Sequence, residues 1–247
     1  MDSKFNLPTE IVELPSKGLL YPEDSPLTKG EIEMKYMTAK EEDILTNANY
    51  LRDGSAVDRL LKSLIVDKSI NFNEILVGDK NAMMVAARIL SYGKDYNYQY
   101  NGEEFTVDLS TLETLEPDTK VIKDRKNEFT FVLPNTDNTV TFKFLTHADE
   151  KAIDRELAGL KKINKKDSSE SSTRLKFMLT SVNGLTDKKD VREFVDNYML
   201  AKDARALREY YASIMPDVKF NATIINEDGG EEDITIPITL KFFWPEY

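Results

Sequence analysis

The chain predicts an α+β fold made of two degenerate copies of a strand–helices–β-hairpin unit, mostly helical with small antiparallel sheets. Three observations predict it. A strand-to-helix junction occurs twice, with Ile32–Met37 running into Thr38-Ala-Lys-Glu41 and Thr139–Leu145 running into Thr146-His-Ala-Asp149. At both, a Thr stands at the N-cap with an acid three residues on. That spacing lets the hydroxyl and the carboxylate satisfy free helix amides and puts negative charge at the helix's positive end. Apolar blocks then follow in the same order, Leu60–Ile65 matching Leu175–Leu179 and Asp79–Met83 matching Asp203–Leu207. Each series ends in a hairpin pattern, around Tyr96–Leu109 and around Phe220–Ile238. Several matches in one order are the trace an internal repeat leaves.

Taken in order, residues 1–30 read as an extended N-terminal segment, 31–125 as the first α+β half and 126–247 as the second. Leu14-Pro-Ser-Lys-Gly-Leu-Leu-Tyr-Pro22 is rich in turn formers. A strand at 31–37 leads to a helix at 39–47, and Asp53-Gly54-Ser55 breaks the chain beyond it. Ser55 is placed to cap a helix whose Val57, Leu60, Leu61, Leu64 and Ile65 fall on one face at spacings of three and four. Asp79 is placed to cap the next, with Ala82, Met83, Ala86, Ala87 and Leu90 as its stripe and Gly93 as its stop. Asn101-Gly102 between alternating runs signals a hairpin.

The second half opens with strands near 128–133 and 139–145 joined through Pro134–Asn138. A helix carrying Ile153, Leu157, Leu160 and Ile163 follows, then a polar stretch at 161–172 that reads as a loop. Helices are expected at 173–182, 187–200 and 203–214, the last stopped by Pro216. A hairpin turning at Asp228-Gly229-Gly230 closes in Ile234–Pro245.

Composition narrows the function. At 247 residues, 40% hydrophobic and 31% charged, the chain has the makeup of a globular protein with a real core. A net charge of −11 repels phosphate and argues against nucleic acid as a partner. Cysteine is absent, which removes disulfides, thiolate metal sites and cysteine catalysis. No apolar run approaches about 18 residues, and Met1–Asn6 lacks a signal-peptide core, so neither a membrane span nor export is expected. A cytoplasm is the expected location.

The search for chemistry is largely negative. The single histidine, His147, lies in a first helical turn, where a surface position is the ordinary reading, and no Ser/His/Asp constellation forms around it. One histidine without cysteine does not make a zinc site. Asp228–Asp233 is acidic but lacks the alternating register of an EF-hand loop. Val77-Gly-Asp-Lys-Asn lacks the spaced glycines of a phosphate loop. Glu41, Glu42 and Asp43 are explained by the helix dipole, and the basic run at 161–166 has no interleaved aromatics. No catalytic residue, cofactor or metal ligand is assigned, and a cell-wall hydrolase using paired acids is the weakest reading.

Apolar features are more informative. Leu19-Leu20-Tyr21 lies in a segment without periodicity, and Phe242-Phe243-Trp244 lies near the chain end. Such residues either pack on the protein's own core or anchor a partner, since Trp, Tyr and Phe are enriched at the buried centres of interfaces. An exposed groove built from Tyr21, the Leu60, Leu61 and Leu64 face, and Phe242, Phe243 and Trp244 is the expected binding site.

Leu14–Pro22, Tyr36-Met-Thr-Ala-Lys-Glu-Glu-Asp-Ile-Leu45, Leu61–Ile70 leading into Val77-Gly-Asp-Lys-Asn-Ala82, and Phe242-Phe-Trp-Pro245 together resemble the baseplate protein family of T4-type contractile-tailed phages, over nearly the whole chain. The resemblance implies a late viral protein of the baseplate's central hub, an assembly factor or a permanent hub subunit, without catalysis. It implies hub subunits or the tape-measure protein as partners, with self-association possible, and a location in the host cytoplasm during assembly or in the virion tail. Members often carry Cys-x-x-Cys pairs in both hairpins, at positions matching Tyr100–Glu103 and Asn226–Gly229. This chain has none, so a zinc ribbon does not carry over, and pairs such as Tyr98, Tyr100 and Phe105 are expected to hold the hairpin instead.

Overall fold

The structure, a computed structural model, describes residues 7–100, 102–122, 124–163, 169–225 and 230–244. It is an α+β fold with small antiparallel sheets. Strand β1 (Thr9–Glu13) pairs with β2 (Glu31–Lys35), Thr9 opposite Lys35 and Glu13 opposite Glu31. Helices α1 (Ala39–Thr46), α2 (Ala48–Arg52), α3 (Ala56–Leu64) and α4 (Val77–Tyr92) follow. The hairpin of β3 (Asp95–Tyr100) and β4 (Glu103–Asp108) comes next, then the short β5 (Thr114–Leu115).

Strands β6 (Phe129–Val132) and β7 (Thr139–Phe142) start the second series, which continues with α5 (His147–Ile163), α6 (Glu170–Met178) and β8 (Leu179–Val182). These three strands form one sheet in the order β6-β7-β8. Helices α7 (Lys188–Asn197) and α8 (Ala201–Ile214), strand β9 (Asp217–Val218), the hairpin of β10 (Asn221–Ile225) and β11 (Glu231–Thr235), and a short α9 (Leu240–Phe243) complete the chain.

Several expectations need correction. The segment 173–182 is a helix only as far as Met178, because Leu179–Val182 finds a free edge on β7 and extends instead. The terminal run does not stay a strand to its end: β11 stops at Thr235 and Leu240–Phe243 turns into a helix. Ser55 precedes α3 but gives it no side-chain cap; its hydroxyl accepts from Arg59 Nε at 2.9 Å. Asp79 is the third residue of α4 rather than its cap, and Leu76 takes the N-cap place. Within the stretch expected to be a loop, α5 runs through Ile163 and α6 begins at Glu170. Ile163, expected on the apolar stripe of α5, is 86% exposed. The expectations for Met1–Asn6, Asn101, the basic run past Ile163, the 226–229 turn and Pro245 lie outside the described residues.

The two series agree in local detail. β1 leads into Leu14-Pro-Ser-Lys17 and β6 into Leu133-Pro-Asn-Thr136, with both leucines buried. Leu14 donates its amide to Gly30 O and Leu133 to Asn138 O, each at 2.9 Å. Lys17 and Asp137 both take left-handed conformations, at φ 50° and 55°. In the first turn Gly18 is obligatory, since a Cβ there would stand 2.4 Å from Thr28 O. Thr38 donates its amide to Glu41 at 3.1 Å, and Thr146 donates its own to Asp149 at 3.0 Å. Lys35 pairs with Glu41 at 2.7 Å and Lys143 with Asp149 at 2.8 Å, so each cap is tied back to the strand before it.

The two series are also interlocked. β5 pairs with β9, and Tyr96 of β3 meets Phe242 of α9 edge to face at 5.2 Å. The Val77 amide donates to Leu145 O at 3.0 Å and the His147 amide to Ile75 O at 2.8 Å, a bridge centred on Leu76 and Thr146. A Cβ on Gly78 would sit 1.9 Å from Pro216 O, so the segment after α8 can lie against α4 only because residue 78 has no side chain. One buried apolar cluster runs through both series: aliphatic around Leu14, Leu27, Met34 and Leu60, aromatic around Phe129, Phe142 and Phe144.

Candidate interaction surface

The sequence-expected groove residues do not line a groove. Tyr21 is 2% exposed, Leu60, Leu61, Leu64 and Phe242 are 0%, and Phe243 is 1%. This corrects the expectation of an exposed apolar site: the periodic leucine face of α3 and the terminal aromatics are satisfied inside the chain's own core. Trp244 alone among them is partly buried, packed at the core's edge. Tyr21 has a polar task as well. Its hydroxyl donates to Asp79 Oδ2 at 2.6 Å and accepts the Leu76 amide at 3.0 Å, and burial, followed by the Asp79 charge, drives its pKa upward.

Two buried carboxylates hold the turns after the first strand of each series. Asp79 accepts from Tyr21 and from the Ser16 amide and hydroxyl at 2.9 and 2.7 Å. Burial pushes Asp79 above the ordinary carboxylate range; the hydrogen bonds from Tyr21 and Ser16 oppose this without reversing it, and Asp217 nearby adds repulsion. Asp203 accepts the Asn135 amide, the Asn135 side chain and the Thr136 hydroxyl, each at 2.8 Å. Burial raises it too, but there the hydrogen bonds win and the carboxyl titrates lower than usual.

His147, expected at the surface, is 2% exposed, a second correction. The bridge between the start of α4 and the start of α5 buries it, with Phe72 edge-on at 4.6 Å. Its Nε2 lies 3.6 Å from Asp58 and its Nδ1 3.3 Å from Lys80 Nζ. Burial, outweighing attraction to Asp58, lowers its pKa to about 4, so the ring is neutral at neutral pH. Asp58 is taken up by Lys80 at 3.2 Å and Lys151 at 2.8 Å, and Lys80 also reaches Glu150 at 3.4 Å. These groups border a recess of about 350 Å³. With its carboxylates paired to lysines and its histidine neutral, the cluster joins α3, α4 and α5. Among the described residues no group of three acidic, histidine or cysteine side chains could hold a metal ion.

The open apolar surface lies elsewhere. A groove of about 570 Å³ is lined by the apolar Val77, Leu145, Leu175, Met178 and Met215 with Tyr211, and by the polar Glu170, Ser171, Arg174 and Arg208, of which Arg174 pairs with Glu170 at 3.3 Å. Tyr211 is fixed by accepting the Leu145 amide at 3.2 Å, and Arg208 donates to Ser171 at 3.1 Å. With Arg174 paired to Glu170, Arg208 leaves the apolar groove with a net positive charge on a chain of net charge −11. Sequence patterning did not reveal this groove, because its lining comes from the start of α4, the inner edges of α6 and α8 and the β7–α5 junction, four separated segments. The paired carboxylates did leave a signal: Leu-Pro-Ser and Leu-Pro-Asn stand at matching places, each with an acid at the third residue of a later helix.

A family model described as T4 bacteriophage base plate protein matches residues 11–244, nearly the whole chain. The chain belongs to that family. No curated protein and no solved structure gives a match. Membership of the T4 base plate family gives the chain a structural or assembly role in the phage baseplate, in contact with other baseplate proteins and associated with the virion tail. Among the described residues of this baseplate protein, no helix is long and apolar enough to cross a membrane.

Proposed function

We propose that this baseplate protein is a non-enzymatic assembly factor for the central hub of the phage baseplate, working in the host cytoplasm by holding a hub subunit or the tape-measure protein in an assembly-competent form. The groove walled by α6 and α8 carries the reading. An apolar lining beside Arg208, with Arg174 already paired to Glu170, suits an apolar segment carrying an acid, while the net negative charge of −11 keeps the free protein from self-aggregating. Catalysis is disfavoured by the paired state of the Asp58, Lys80 and His147 cluster. The second reading, a permanent hub subunit, follows from the family alone.

Mass spectrometry of purified virions beside infected-cell lysate separates the two. Peptides abundant in lysate and missing from virions are the expected result; a constant few copies per virion would overturn the assembly-factor reading and establish a structural subunit.

We also infer that the chain is two copies of one strand–helices–hairpin unit. The reading is supported by the shared Leu-Pro turns, the two threonine-acid caps, the strand lysines that pair with those acids, and Asp79 and Asp203 reaching back to the turns. Local details of this kind, in one order, are hard to assemble independently.

A further inference from the structure

Within the chain, the segment ahead of α4 docks on the strand-to-helix junction ahead of α5. Val77 donates to Leu145 O and His147 to Ile75 O around the Leu76–Thr146 bridge. The contact buries Leu76 to 5% exposure, Leu145 to 4% and His147 to 2%. Matched by the two-copy correspondence, on which this inference rests, the same two surfaces occur once more, and there Ala39, Leu200 and Ala201 are exposed while Met37, Thr38 and Met199 are half-buried. Met199-Leu200-Ala201 ahead of α8 corresponds to Ile75-Leu76-Val77, and Met37-Thr38-Ala39 ahead of α1 corresponds to Leu145-Thr146-His147. Leu200 is 48% exposed and Tyr198 beside it 63%. Among the described residues, the amides of Ala39 and Ala201 and the carbonyls of Met37 and Met199 make no hydrogen bond. Each segment therefore presents the donor and the acceptor that the other needs.

We propose that a second copy of this chain docks head to tail, the Tyr198–Ala201 segment of one copy lying against Met37–Ala39 of the next and repeating between chains the bridge made within one. In the docked pair Ala201 donates to Met37 O and Ala39 to Met199 O, while Leu200 is covered as Leu76 is. Charge favours the pairing on balance: α1 opens with Glu41, Glu42 and Asp43 against one cation, Lys40, and α8 opens with Lys202 and Arg205 against one acid, Asp203, whose carboxylate is buried and turned to Asn135 and Thr136. The intermolecular contact is smaller than the internal one. Where α4 has Gly78 beneath Pro216, α8 has Lys202, which keeps a neighbouring backbone away on that side. Association is accordingly weak and reversible, and because the two surfaces differ it is heterologous, able to add copies until a ring closes.

Proline at the first position of a helix removes a donor and leaves the helix intact, and the extended residues before each site accept a following proline. Ala39→Pro and Ala201→Pro thus each disable one surface without unfolding the protein. Sedimentation velocity on the full chain over a concentration series is expected to show wild type associating and each variant alone monomeric. An equimolar mixture of the two variants should form a dimer and nothing larger, since one intact junction remains between them. A wild type monomeric up to millimolar concentration overturns the proposal, as does association that survives in both variants. Val77→Pro removes the corresponding donor inside the chain and is expected to lower the urea midpoint. A lowered midpoint with a monomeric wild type overturns the docking and leaves the two-copy reading standing; an unchanged midpoint removes the internal template and overturns both.

Discussion

The starts of α4 and α8 are built from the same parts and sit in opposite surroundings. Each helix begins after a leucine in extended conformation, each places an aspartate third, and each aspartate reaches a Leu-Pro turn. At α4 the neighbouring chain closes over the helix: Gly78 lies under Pro216, Leu76 is buried, and the Asp79 carboxyl is pushed upward in pKa by burial. At α8 the 135–136 turn buries Asp203, but the positions around it that match Leu76 and Gly78 stay open. Residue 202 is an exposed lysine, Leu200 faces solvent, and Asp203 is held below its ordinary value by its hydrogen bonds. Similar local sequence gives similar helix starts, and the chain's own packing decides whether the leucine ahead of each is covered or exposed.

The largest difference is expected on deleting the two carboxylates. Asp79→Ala leaves the Tyr21 hydroxyl and both Ser16 donors buried without an acceptor, a loss of about 3–5 kcal/mol in urea unfolding. Asp203→Ala frees donors on a part-buried turn that water can reach, a loss of about 1–2 kcal/mol. Equal losses would break the comparison.

The paired asparagine variants sharpen it through pH. Asp79 binds its proton more tightly folded than unfolded, so its contribution is full below the unfolded value near 3.9 and is lost as pH rises through the folded value. Asp203 is the reverse, contributing above that value and losing its share as pH falls through the lowered folded one. Wild type measured against Asp79→Asn should therefore lose ground as pH rises, and wild type against Asp203→Asn should gain it. His147 adds an acid limb that Ala39, the matching residue of α1, lacks. Its folded pKa of about 4 lies below the unfolded value near 6.5, so stability is full above the latter and falls as pH drops toward the former, by up to about 3 kcal/mol. His147→Gln should flatten that limb.

Sterics give the next effect. Gly78→Ala gains about 1 kcal/mol of helix propensity yet drives a Cβ into Pro216 O, and a net loss of roughly 1–3 kcal/mol is expected. Lys202→Ala, at the matching position, should change stability by no more than about 0.5 kcal/mol.

Much of the fold was legible where the signal is local. The threonine-acid caps, the α3 leucine face and the first hairpin follow from spacing within a few residues. What escaped was decided at a distance. β8 is a strand because β7 offers an edge, and no residue between Leu179 and Val182 announces that. Tyr21, Phe242 and Phe243 read equally well as anchors for a partner, and only the return of the chain end onto Tyr96 turns the last two into core. His147 looked like a surface residue because its burial comes from the Ile75–Val77 segment, far away in sequence.

The smallest effect tests whether the two caps are as alike as they look. Thr38 and Glu41 form a capping box, and Thr146 with Asp149 exchanges amide and side-chain bonds in both directions, Asp149 donating its amide to the Thr146 hydroxyl at 3.3 Å. Valine in place of either threonine keeps the shape and removes the hydroxyl, at a cost of about 1 kcal/mol each. The costs part company if the bridge matters. Around Thr146 the helix start is already pinned by the His147 amide on Ile75 O, while around Thr38 the described residues make no such clamp. Thr146→Val should therefore cost stability without loosening the first turn of α5, whereas Thr38→Val should also raise amide exchange in the first turn of α1. Equal exchange in both variants would mean that the internal bridge does not order the helix it touches, and the difference between the covered and the open helix start would then be one of burial alone.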